Sequence, residues 1–110
     1  MPQSEPVTIL IISEHAESIN LITVSLRGLF PGCRVDVAYS ADEARTWASA
    51  HEWTLILIDE RCLAGANAAL PSELKLHAPY AAIILHSDHT DSASALQALQ
   101  ADVDFFLSKR

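Results

Sequence analysis

Basic side chains are scarce in this sequence: seven lysines and arginines stand against fourteen acids, a formal net charge of -7. That balance repels a phosphate backbone and argues against direct nucleic-acid binding. Cysteine is nearly absent. Cys33 and Cys62 are far apart, with neither CxxC nor zinc-site spacing, so they read as reduced thiols packing as small apolar groups. Glycine occurs three times, and the stretch "SEHAES" after the first apolar run contains none. A nucleotide or flavin phosphate would lack its usual glycine-rich cradle there, which counts against an unrelated nucleotide- or flavin-binding enzyme. No apolar run approaches the roughly 18 residues that cross a bilayer. The opening "MPQSEP" has no basic stretch followed by an apolar one. The expectation is a cytoplasmic chain with no membrane partner.

What the sequence does contain is short apolar runs alternating with amphipathic stretches, the pattern of an α/β domain. Its 110 residues suit one domain, 1–110, with 1–6 as a tail. Val7 to Ile12 carries the run "ILII", which has no in-out alternation, as in a strand buried on both faces of a parallel sheet. Ala16 to Leu29 carries Ile19, Ile22, Leu26 and Leu29 at helical spacing, and "FPGC" stops it. "RVDVAY" alternates like a half-covered edge strand. Ser40 and Glu43 then form a capping box before a second helix.

"TLILID" and "AAIILHS" are further strands, ending at Asp59 and Ser87. Pro71 delays the helix between them, since proline suits only a first turn. Asp91 caps a fourth helix with Ala95, Leu96, Ala98 and Leu99 as its apolar stripe, and "DVDFFLSK" supplies a fifth strand. Right-handed crossovers between five such strands predict a doubly wound parallel sheet of flavodoxin-like order 2-1-3-4-5.

In such sheets the functional crevice lies at the carboxyl ends of the strands. Those ends are polar here: Ser13 and Glu14, then Asp59, then Ser87, with Lys109 after the last strand. Two carboxylates, a hydroxyl and an ammonium on one rim suit phosphoryl transfer to an aspartate. The anionic nucleophile needs a cation such as Mg²⁺ to relieve repulsion, and an ammonium and a hydroxyl to stabilise the equatorial oxygens.

The chain resembles the response-regulator receiver family over nearly its whole length. "ILIISEH" looks like the family's first strand and acidic pair, "LILIDE" like its phospho-acceptor strand, and "IILHSDHTD" like the strand ending in a switch hydroxyl. "DFFLSK" is similar to its aromatic-then-lysine signature. The resemblance implies Asp59 as phospho-acceptor, Ser87 as switch hydroxyl, Phe106 as switch aromatic and Lys109 as phosphoryl clamp. It implies Mg²⁺ held by Glu14, Asp59 and the backbone carbonyl of Arg61, with Ser13 acting weakly through water. The implied partners are a histidine kinase or phosphotransfer protein and an output domain or downstream protein. The chain would be a signalling domain rather than an enzyme, with no activity beyond its own phosphorylation and dephosphorylation.

Several positions depart from the family pattern. Ser13 replaces an acid and Glu14 is one methylene longer than the usual aspartate, so metal affinity should fall, roughly 10 to 100-fold for lost outer support. Asp88 adds a negative charge beside Ser87, while Leu63 and Arg110 replace frequent prolines. These departures support a pseudo-receiver, a docking module that works without phosphorylation, as the alternative. His86, Asp88, His89 and Asp91 read as a surface loop rather than a transition-metal site, and Trp47 and Trp53 as packing residues. The family's fifth helix has no counterpart in the sequence. An apolar strip of Phe105 and Leu107 is therefore expected to be covered by a second copy of the chain or by a following segment.

Overall fold

The computed structural model describes residues 7–63, 67, 69–87 and 103–108, with the side chains of 87 and 105–108 excepted. Strand β1 (Thr8–Ile12) pairs in parallel with β2 (Arg34–Ala38) on one side and with β3 (Leu55–Asp59) on the other. β3 pairs in parallel with β4 (Ala82–Ser87), so the four strands run in the order β2-β1-β3-β4. This is the α/β parallel frame that the apolar runs predict. The backbone of β5 (Phe105–Ser108) continues the sheet beside β4. Asp104 pins that approach: its N–H donates to the Ile83 carbonyl at 2.8 Å, and its carboxylate accepts from the Ile83 N–H at 2.8 Å and pairs with Lys75 at 2.7 Å. Burial works against the Asp104 charge, but the hydrogen bonds from Lys75 and Ile83 outweigh it and hold its carboxyl below the ordinary range.

The unbroken apolar run over residues 9–12 of β1 has a direct structural cause. Ile9, Leu10, Ile11 and Ile12 are all fully buried because helices cover both sides of the sheet. On one side Leu10, Ile12, Ile56, Ile58, Ile83 and Leu85 pack against α2 (Ala41–Ala50) and α3 (Leu70–His77). Ala41, Ala44 and Ala48 let α2 lie close, and Leu70 and Leu74 fill in from α3. On the other side Ile9, Ile11 and Leu57 meet Ile19 and Leu26 of α1 (Ala16–Leu29), while Val35, Val37, Leu55 and Ile84 are only partly covered.

Leu29, expected on the buried stripe of α1, is 72% exposed. Ten residues beyond Ile19, the 3.6-residue repeat has carried it about 80° around the helix. Gly32 then turns the chain at φ 83°, a conformation side chains disfavour. Pro71 sits in the first turn of α3, so that helix does start late. Trp53 is buried and donates from its indole nitrogen to the Trp47 carbonyl at 2.9 Å, consistent with packing roles for both. The fourth helix expected from Asp91 onward lies outside the described residues, as do the side chains of the Phe105 and Leu107 strip.

Ser40 caps α2: its hydroxyl accepts from the Glu43 N–H at 3.1 Å. Glu43 reaches back one residue further than a capping box requires, to the Tyr39 N–H at 3.4 Å. Ser40→Ala is expected to lower stability by about 1 kcal/mol in urea denaturation, whereas Ser40→Asp should retain the native midpoint, because aspartate caps equally well. Equal losses in the two variants would show that the cap contributes nothing.

Candidate functional site

The sheet register brings the ends of β1 and β3 together. Ile12 is the partner of Ile58, so the next residues, Ser13 and Asp59, fall side by side at the carboxyl rim. Both are buried, at 1% and 2% exposure, and among the described residues the other buried side chains are apolar. A carboxylate in such a place must be paired or hydrogen-bonded. Asp59 is both.

Its Oδ2 accepts from the Ser13 hydroxyl at 3.1 Å and from Nη2 of Arg61 at 3.0 Å. Its Oδ1 accepts from the Arg61 backbone N–H at 3.1 Å and from Arg61 Nε at 3.2 Å. The guanidinium thus forks across both oxygens of the carboxylate, the strong bidentate form of an ion pair. The fork forms because a short 3₁₀ turn, Glu60–Leu63, follows β3 immediately and folds Arg61 back over the strand end. Ser13 is held in turn by the His15 N–H, which donates to its hydroxyl oxygen at 3.1 Å, so a chain of polarised hydrogen bonds runs from the start of α1 to Asp59.

Glu14 is exposed and lines an adjoining cavity of about 200 Å³ with Ser40, Asp42, Arg61, Cys62 and Asn67. Asp59 is not part of its wall. Cys62 is within electrostatic reach of both carboxylates. Burial, with the charges of Asp59 and then Glu14, pushes its thiol up, which keeps it protonated and inert.

His86 is the register partner of Asp59 on β4, and Ser87 ends that strand opposite Ser108. The side chains of Ser87 and Phe106, and all of Lys109, Asp88, His89 and Asp91, lie outside the described residues. Ser13, Asp59 and Arg61 are therefore the expected site residues brought into direct contact. Sequence reasoning assigned Arg61 only a backbone carbonyl and missed its side chain. The available signal was a lone arginine two residues beyond the acceptor.

Among the described residues, no group of three or more His, Cys, Asp or Glu side chains is placed to hold a metal ion. The donor count at Asp59 agrees. An ionised carboxylate offers about four lone-pair sites. Four hydrogen bonds, from the Ser13 hydroxyl and three Arg61 groups, already converge on them. With Arg61 in this position the described residues do not fit a divalent cation.

No family model matches the sequence, and no curated protein matches it. Solved structures do match in fold. A response regulator from Burkholderia pseudomallei, crystallised with a phosphorylated aspartic acid, calcium ion and citrate, superposes with a TM-score of 0.81 at 24% identity. The match covers 94% of this chain, which spans 59% of that one. A CheY-like receiver domain protein from Methanospirillum hungatei gives 0.77 at 19% identity over 96% of this chain and 82% of its own. A response regulator from Thermotoga maritima gives 0.80 at 17% identity, over 96% and 86%. The chain therefore has the fold of response-regulator receiver domains.

Proposed function

We propose that this chain is a receiver domain of a two-component phosphorelay, in which Asp59 accepts a phosphoryl group from the phosphohistidine of a histidine kinase or phosphotransfer protein. The observation that carries this reading is a buried aspartate at the carboxyl end of the central strand, held by hydrogen bonds to Ser13 and Arg61. A carboxylate oxygen of Asp59 would attack phosphorus as the P–N bond to histidine breaks, leaving an acyl phosphate and a histidine that regains its proton. The Arg61 donors and the Ser13 hydroxyl would stabilise the charge on the equatorial oxygens, with Lys109 as a further clamp. Ser87 and Phe106 would carry the change to an output domain or downstream protein. The expected fourth helix between β4 and β5 belongs to this reading, as do the cytoplasmic location and a covering second copy of the chain. The phosphorylated aspartic acid of the Burkholderia pseudomallei regulator supports the assignment.

The pseudo-receiver is the second reading. It is favoured by the saturation of Asp59 with donors and by Ser13 standing where a second acid is expected. Acetyl phosphate treatment followed by intact mass separates the two, with and without Mg²⁺. The expected result is one hydroxylamine-sensitive phosphoryl group, absent from Asp59→Asn. A wild type that takes no label from acetyl phosphate or a phosphohistidine donor would establish the pseudo-receiver instead.

A further inference from the structure

We propose that the Arg61 guanidinium is the resident cation of this pocket, occupying the carboxylate face that a divalent metal ion would need and excluding the ion from Asp59. This deepens the receiver reading and takes its meaning from it, because it concerns how the acceptor's charge is balanced.

Three observations carry it. First, the guanidinium contacts both Asp59 oxygens, at 3.2 Å through Nε and 3.0 Å through Nη2, so no face of the carboxylate is left for a bare cation. A guanidinium is planar and always charged, and it has no lone pair with which to share a metal ion. Second, the acidic complement of the rim is thin among the described residues. Ser13, beside Asp59, contributes a neutral hydroxyl that is already donating to the carboxylate, and Glu14 is exposed, lining with Arg61 a cavity whose wall does not include Asp59. Mg²⁺ gives up its water reluctantly and needs one or two carboxylates presented together. Third, the guanidinium already sets a positive charge against the buried carboxylate. One buried carboxylate faces one guanidinium, and a divalent ion arriving beside that guanidinium would meet like charge at close range.

The test is divalent-ion binding, read separately from phosphorylation. Mn²⁺ would be titrated into the full chain and followed by the loss of its free electron paramagnetic resonance signal, with Mg²⁺ competition. Wild type is expected to show no saturable site into the millimolar range. Arg61→Met and Arg61→Gln should each gain a site about 10-fold tighter or more, the scale of one charge-assisted hydrogen bond released from competition. Adding Asp59→Asn to either variant should abolish the gained site. Arg61→Lys should remain close to wild type, because its ammonium retains the charge. Two independent neutral substitutions guard against one that folds poorly, and circular dichroism verifies each. Saturable wild-type binding that neither variant improves would overturn the proposal, as would a gained site that survives Asp59→Asn. A chain that excludes Mn²⁺ through Arg61 yet takes no phosphoryl group keeps this inference and loses the receiver reading. A chain labelled only with Mg²⁺, by an ion bound at Asp59 in wild type, does the reverse.

Discussion

Replacing Arg61 with methionine is expected to lower the unfolding free energy by about 2 to 3 kcal/mol, measured by urea denaturation without divalent ions. Removing one partner of a buried ion pair typically costs about 3 to 5 kcal/mol, because the remaining charge is stranded away from water. The estimate is lower here for two reasons. The Arg61 side chain is 47% exposed, so solvent already screens part of the pair and can enter when it is gone. The Ser13 hydroxyl and the backbone N–H of residue 61 also still donate to the carboxylate. In a domain of this size each kcal/mol moves the melting temperature by about 4 to 8 °C, so the loss is easily seen. Pairing the change with Asp59→Asn should recover much of it, since the double variant buries an amide rather than an unpaired charge. Simple additivity of the two single losses would mean that the fork seen between Asp59 and Arg61 has no energetic weight.

The same pair marks where sequence reading ended. Ser13, Glu14 and Asp59 could be placed on one rim because each follows an apolar run whose length fixes where the strand stops. The direction of Arg61 could not be read that way. Two residues apart on a continuing strand would have put Arg61 and Asp59 on one face, pointing outward side by side. The 3₁₀ turn from Glu60 bends the backbone instead, so the guanidinium returns to the carboxylate. A change of backbone period right after a strand is a tertiary outcome with little local signature.

The strands and α2 were legible for a simpler reason: their sequences satisfy their surroundings at every level. Unbroken isoleucine and leucine in β1 matches burial on both faces, and Ser40 and Glu43 stand where the first turn of α2 needs acceptors. Leu29 departs from this agreement: helical spacing alone predicts it on the stripe, whereas a straight helix drifts away from it.

Ile56→Ala is expected to cost about 3 to 5 kcal/mol, the upper part of the range for truncating a buried isoleucine. Ile56 lies on β3 between Leu10 of β1 and Ile83 of β4 in the sheet register, and all three are fully buried. The helix surface above this layer includes Ala44 and Ala48, side chains too short to settle into the space left by the lost methyl and methylene groups. The cavity would therefore stay open, and its cost adds to the lost transfer free energy. Leu21→Ala is the matched control, because Leu21 on α1 is 72% exposed and its truncation should remain within about 0.5 kcal/mol. The Ile56 variant should still place Ser13 against Asp59. Those residues lie beyond the next layer, formed by Ile12, Ile58 and Leu85, which the substitution leaves intact. Urea midpoints for the two variants decide the matter. Comparable losses at positions 56 and 21 would place the core elsewhere than between the sheet, α2 and α3.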